Sequence, residues 1–513
     1  VVGVGLGVLA LFLPIHLAGG QYMSPLMVVT VAFGLYILVV LTVGLLASRQ
    51  SSKSPDEYFL AGRTLGPFVL FMALFGTNCT PFVLIGIPGK AYHHGIGLFG
   101  LNAPIIALGI PLTFWAIGAP ARRMGQRLGA LTPAELFAKR FQSRGLGLLL
   151  FGAFTLYTLP YMVSGVIGAS LTLTSASQGA IPSWAGGLLV LAVALIYTAL
   201  GGMRATAWTN VIQGLIFMAF MVAAFFFMSG SMGGLEAATA AVAEKVPQHL
   251  TLPSDGLFTP QAWTSWGLAI SLCVISFPHM FVRLMSAKDD RAIQSSCKLY
   301  PPALIALWLP AVFIGVWGAA KFAGLEGKES DKIFWLMANG HLPPWLASMA
   351  FLAVLAAVMS TLDAQILTLS SMLVRDAMDP YLAADRQRND VLAGRLFGVG
   401  IAVLVYILSM TMSQSVFDIA KIAFFGYVTL VPTLFFGVRW QRFTLKGAVA
   451  SVLSANAVLW LGMAGWLPMF GFLPVFWALV VGIITALAVS WADSPPNAQD
   501  MERVFGAAPM AAE

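Results

Sequence analysis

The chain has 513 residues, of which 59% are apolar and 10% charged, with a formal net charge of +7 and a mean hydropathy of +0.85. A soluble domain carries about 25% charged residues, so a water-soluble globular protein is excluded. Recurrent apolar runs of spanning length require an all-α polytopic membrane protein rather than a barrel of short alternating strands.

Residues 1–19 form an apolar stretch just long enough to span. It lacks a basic leading region and an A-x-A site before Tyr22, so it reads as an extra N-terminal helix rather than a signal peptide. Further runs predict about thirteen spans, near 25–48, 66–89, 96–119, 146–175, 182–200, 206–229, 262–285, 300–321, 344–374, 393–412, 415–437, 447–465 and 472–491. Alternate connections on one side collect Arg49, Lys53, Arg63, Arg122, Arg123, Arg127, Lys139, Arg140 and Arg144, and later Arg204, Arg283, Lys288, Arg375, Arg439 and Arg442. The opposite side receives Lys90, Lys245, Lys321, Lys328 and Lys332. That bias makes the basic side cytoplasmic and turns the positive charge into a topology signal, not a nucleic-acid footprint. On the basic side, Thr132–Phe141 reads as a short helix with a capping box, Thr132 standing three residues before Glu135. Cys79, Cys273 and Cys297 show no disulfide or zinc spacing.

Two spans carry breakers where a continuous helix costs less. Phe71–Gly89 holds Gly76, Thr77, Asn78, Thr80 and Pro81 at mid-span; Trp266–Leu284 holds Ser271, Ser276 and Pro278. Four spans separate them, so each opens a five-helix unit. This is the pattern of an inverted repeat whose first helices are discontinuous. Carbonyls released near Gly76 and Cys79 suit a dehydrated cation, and half-helix N-termini suit an anionic group. Leu355–Asp376 adds Ser360, Thr361 and Asp363 within about one turn of an apolar helix. Such a cluster either coordinates a small hard cation or serves as packing and hydrogen-bond glue between helices. His93 and His94 read as a solvated loop pair, and His279 as a cap or packing residue beside the second break.

Five stretches, SPDEYFLAGRTLGPF (Ser54–Phe68), GIPGKAY (Gly86–Tyr92), GGMRATAWTNVIQG (Gly201–Gly214), FPHMFVRLMSA (Phe277–Ala287) and AAVMSTLDAQ (Ala356–Gln365), resemble in order the motifs of the sodium:solute symporters. The likeness runs from about Ser24 to Lys446. It implies a LeuT-like 5+5 inverted repeat: a peripheral helix over 25–48, repeats over 66–230 and 262–440, two peripheral helices over 446–492 and a cytoplasmic tail over 493–513, which reads as disordered. It also implies a multi-pass plasma-membrane carrier with Na⁺ as coupling ion. Carried over residue by residue, the shared sodium site comprises the carbonyls of Gly76, Cys79 and Ala357 and the hydroxyls of Ser360 and Thr361.

This chain departs from the family pattern at three positions. Asn210 stands where the family usually has Asp, and Asp363 where relatives often have Ser. The expectation is a carboxylate moved across a candidate second cation site, with Na⁺, a proton or Arg204 as its partner; the alternative is that the site is lost and Asp363 pairs with a cytoplasmic Arg or a backbone amide. Asn78 replaces the acid of proline-type carriers. With Thr77 and Thr80 it offers donors to a carboxylate, while Ile270, Val274 and Phe424 are expected as apolar walls and Lys421 as a charge at the outer mouth. The reading is Na⁺-coupled symport of a small organic anion, monocarboxylate-like, with the bilayer as the other partner and no oligomeric state legible. The alternatives are a proline- or pantothenate-type substrate, proton coupling, and a transporter-like solute receptor. No nucleophile, base or phosphate loop supports an enzyme.

Overall fold

The computed structural model describes residues 25–48, 55–382 and 390–506; the expected helix over 1–19 lies outside them. Among the described residues, ten helices are long and apolar enough to cross a membrane, or twelve if each of two bent pairs counts as one span. The expected span 182–200 is the first part of the helix Ser183–Ser231, and its apolar stretch Ser183–Ile196 is shorter than the others. That helix breaks at Gly202, whose φ of 60° and ψ of −174° only glycine adopts without strain.

The bent pairs are the two spans rich in breakers. Pro67–Asn78 and Phe82–His94 meet at 53°, and Pro260–Ser276 and Pro278–Met285 at 55°. The cause is local. Proline lacks a donor and crowds the preceding turn, which pushes the residue before it out of the helical region. Phe277, before Pro278, is extended (φ −68°, ψ 118°), and at the first break Cys79 is extended (φ −86°, ψ 97°). Thr80 Oγ1 then accepts from Phe82 N at 3.2 Å and starts the next half-helix.

Between the broken helices lies the helix Pro344–Met378, buried along most of its length and packed against Ser183–Ser231, Arg144–Ala176 and both inner half-helices. The outer helices Pro25–Ser48, Asp390–Thr411, Leu445–Met463 and Pro474–Ala492 expose Leu38, Leu396, Leu453 and Ile484. In a bilayer such faces meet lipid rather than water. On the basic side, a two-residue bridge ties the broken helices together: Leu65 N donates to Ser286 O at 3.2 Å, and Lys288 N to Leu65 O at 3.0 Å.

Three expectations change. His93 and His94 form the last turn of a helix, not a loop. The capping box is present, but its carboxylate reaches one residue further back: Thr132 Oγ1 accepts from Glu135 N, and Glu135 Oε2 accepts from Leu131 N. The tail is partly ordered. Ala498–Phe505 is a helix that buries Val504, packs Phe505 under the Arg140 guanidinium and sends Arg503 Nη2 to Lys139 O. The basic helices beneath supply the apolar and cationic surface that its composition alone lacks.

The outer half of the first broken helix sits close to the helix Asp290–Lys321, where a Cβ on Gly315 would stand 2.2 Å from the Pro88 carbonyl oxygen. Backbone cannot yield as a side chain does. Gly315→Ala is expected to cost about 1–3 kcal/mol, read as a lower melting temperature of the detergent-purified protein.

Candidate functional site

The first break and the helix Pro344–Met378 meet at the centre of the fold. Ser360 Oγ donates to Gly76 O at 2.8 Å, and Thr361 Oγ1 to Thr77 O at 2.9 Å. Both hydroxyls also lie against Ala357 O, at 3.0 and 3.1 Å. Ser360 and Thr361 are adjacent in sequence and both turn toward the break, because a helix carries neighbours about 100° apart and the two carbonyls they meet are consecutive. Five oxygens thus converge within a buried space: three carbonyls and two hydroxyls. A hydroxyl that turns its proton away presents a lone pair, so this donor set suits a hard cation. Cys79 is wholly buried at the extended residue of the same break. The second carbonyl engaged here is that of Thr77, which the sequence reading assigned to substrate. Only the register of the break reveals it.

Helix Ser183–Ser231 closes the third side. Asn210 Nδ2 donates to Thr77 Oγ1 at 2.6 Å and to Ser360 O at 3.1 Å, tying both sides of the oxygen cluster. A Cβ on Gly76 would lie 2.8 Å from Asn210 O, so only glycine lets this half-helix approach so closely. Asn210 Oδ1 has no partner. Asp363, one turn beyond Ser360, is wholly buried; its Oδ1 accepts from Ala364 N at 2.6 Å, and its Oδ2 has no partner.

Arg204 is not the counter-charge of Asp363. Its Nη2 holds Glu57 Oε1 at 2.7 Å and Thr64 Oγ1 at 3.3 Å near the basic-side entrance. The cationic side chain whose field acts on Asp363 is Arg283. Counted above among basic connections, Arg283 is instead wholly buried on the half-helix Pro278–Met285. The signal was present, since Val282 and Leu284 flank it in an apolar run. On the far side of Asn210, Gln213 Nε2 donates to Tyr36 Oη at 2.8 Å, which links the peripheral helix Pro25–Ser48 to this region.

Outward of the break, rings replace oxygens. Phe424 lies 5.1 Å from Phe82, 5.5 Å from Tyr161 and 5.9 Å from Phe277, measured between ring centroids. Thr80 sits beside the Tyr161 hydroxyl. Ile270 and Val274 are buried on the half-helix that ends at Phe277, and Asn78 is half-buried at the end of Pro67–Asn78. His279 caps nothing. It stacks on Phe277 at 5.5 Å, and neither ring nitrogen has a partner. Lys421 stands apart from this cluster: its Nζ holds Asp418 Oδ1 at 3.1 Å at a partly exposed position.

A family model described as the sodium:solute symporter family matches residues 58–455. The sodium/proline symporter of Escherichia coli is 27% identical over 462 residues, covering 84% of this chain and 88% of its own. The sodium/pantothenate symporter of the same organism is 28% identical over 427 residues, covering 82% and 87%. Among solved structures, a Na⁺-coupled sialic acid symporter in a substrate-bound outward-open state superposes with a TM-score of 0.74 at 17% identity, over 90% of this chain and 97% of that one. A nucleobase-cation-symport-1 family transporter in a closed conformation gives 0.59 at 16% identity, over 88% and 99%. These superpositions show a shared fold, the LeuT-like arrangement of broken helices.

Asn210→Ala removes both bonds that bridge the break to the Ser360 carbonyl. The expected cost is about 1–3 kcal/mol for the buried acceptors left behind, visible as a lower melting temperature.

Proposed function

This chain belongs to the sodium:solute symporter family, and on that premise we propose that it couples inward Na⁺ movement to uptake of a small solute bearing a carboxylate. It is a multi-pass plasma-membrane transporter, not an enzyme, and Na⁺ is its coupling ion. One observation carries the site assignment: the Ser360 and Thr361 hydroxyls converge on consecutive carbonyls of a broken helix. Na⁺ entering there takes the carbonyl oxygens of Gly76, Thr77 and Ala357 and the two hydroxyl oxygens, with Cys79 next along the break. The hydroxyl protons then turn outward, and the ion replaces two hydrogen bonds as the tie between the helices. A cation that locks the break also fixes Asn78 and Thr80 just beyond it, so ion and solute favour one arrangement and their coupling is reciprocal.

The carboxylate is the chemistry common to proline and pantothenate, the solutes in the relatives' names. Asn78 and Thr80 supply neutral donors to it, and among the described residues no acidic side chain stands between the rings. The rings of Phe82, Tyr161, Phe277 and Phe424 suit the apolar body of such a solute and, in a zwitterion, its ammonium. Lys421 is neutralised by Asp418, so selection of an anion does not rest on it. The partnerless oxygens of Asn210 and Asp363 support a second cation position.

Proteoliposomes given labelled proline, pantothenate, pyruvate and acetate test the reading. Accumulation of one of them only under an inward Na⁺ gradient is the expected result. Accumulation driven by a proton gradient alone, or binding without accumulation, overturns it. Thr361→Ala should weaken apparent Na⁺ affinity roughly tenfold, the effect of losing about 1.5 kcal/mol at a charged partner, and by linkage weaken solute affinity in the same direction. Asp363→Ser should lower the Hill coefficient for Na⁺; an unchanged ion dependence removes the second position.

A further inference from the structure

The face opposite the basic side, external by the charge bias, has its own closure. The segment between the helices Asp290–Lys321 and Pro344–Met378 contains a short turn, Gly327–Lys332, that folds over the outer half of the first broken helix. Its Asp331 is buried. Oδ2 accepts from Val416 N, the first residue of the helix Val416–Arg439, at 2.9 Å. Oδ1 has no partner and faces Gly89 on the broken helix, where a Cβ would stand 2.9 Å from it. One side chain therefore touches the loop's two neighbours at once. A cap for Val416–Arg439 is not its purpose, because Ser415 already serves: its Oγ accepts from Asp418 N at 3.2 Å. Gly86 adds to the closeness, since its Cβ would lie 3.2 Å from Phe417 N.

We infer that Asp331 is the positioning residue of the external gate, its carboxyl group latching the 327–332 turn onto Gly89 and Val416 when neutral and releasing it when charged. The inference rests on the Na⁺-coupled symport proposed above but concerns a different part of the molecule. Protonation at Oδ1 leaves Oδ2 free to accept from Val416 N, so the neutral form keeps the contact intact. The charged form places a carboxylate oxygen without a donor in a dry contact, which is costly.

Burial pushes the Asp331 carboxyl up to about 7, with the Val416 N–H bond opposing, Asp418 reinforcing and Lys90 opposing. The other titratable groups on the surrounding elements are His93 and His94 on the broken helix, Lys421 beside Asp418, His341 on the helix Ile333–His341, and Glu329, Lys328 and Lys332 on the turn itself. Lys421 and Lys332 are already paired, with Asp418 and Glu329, and Lys90 lies over the Phe417 ring. With the turn withdrawn, the carboxyl is solvated and returns toward the ordinary carboxylate range. The engaged latch thus binds a proton more tightly than the open one. Acidification from about 7 toward that range stabilises closure, and above about 7 the bias no longer changes with pH. The limiting slope is about tenfold in the open-to-closed equilibrium per pH unit.

The experiment is Na⁺-driven uptake into proteoliposomes with external pH varied between about 5.5 and about 8 at fixed internal pH. A closed external gate lowers the competent fraction, so the external KM should rise several-fold on acidification while the maximal rate changes little. Asp331→Asn, a permanent neutral form, should show a flat profile at the acid-limit KM. Internal pH should leave the effect unmoved. Spin labels at Lys328 and Gln414, both exposed, should report a shift to the shorter distance on acidification in the parent and none in D331N. A parent-like pH profile and label response in D331N would overturn the latch. Absence of Na⁺-driven uptake at every pH would sink the proposed function instead, with the labels still reporting on the latch.

Discussion

A carbonyl released from a helix inside a bilayer must find another partner, and the rest of this molecule follows from that constraint. Breaking the first core helix at Cys79–Pro81 frees backbone oxygens in a medium that offers no water. Ser360 and Thr361 answer from the most buried long span among the described residues, and Asn210 braces the arrangement from a third. The hydroxyls hold the carbonyls of the break and of Ala357. In the function proposed above the same oxygens become the ligands of the coupling ion, so that stability and ion binding would draw on the same atoms.

Asp363 and Arg283 are both wholly buried, on different helices, and charge so placed is costly unless an opposite charge or a bound ion answers it. Nearer the surface, Glu57 with Arg204 and Asp418 with Lys421 hold opposite ends of the same bundle. The backbone bridge at Leu65 and Ala287 ties the broken helices on the basic side, while Asp331 ties the outer half of one of them to Val416. A carrier needs both ends to close and neither to close permanently. The inner tie is backbone and pH-indifferent; the outer one runs through a single carboxyl group.

Much of this was legible in the residues. Pro81 and Pro278 announce the breaks because proline cannot continue a helical ladder, and the hydroxyl pair at 360 and 361 stands out because polar residues in a span need a reason. The capping box at Thr132 and the break at Gly202 also follow from local chemistry. What escaped depends on register and neighbours. Thr77 contributes its carbonyl rather than its side chain to the cluster because its hydroxyl meets Asn210. Arg283 reads as a loop charge from its position near the end of a span, but its half-helix starts late, after Phe277, and draws it inside.

Composition and the spacing of breakers by themselves determined an all-α polytopic membrane protein with two discontinuous helices and marked the hydroxyl pair at 360 and 361, while the sodium site there came from the likeness to the family's motifs. These are properties of hydropathy, backbone donors and charge counts, all carried by single residues or short runs. Tertiary structure alone decided which carbonyls meet which hydroxyls, that Arg204 pairs with Glu57 rather than Asp363, and that Asp331 sits between Gly89 and Val416. Each of these joins residues tens to hundreds of positions apart, and only the packing of helices brings such atoms within hydrogen-bonding or electrostatic reach.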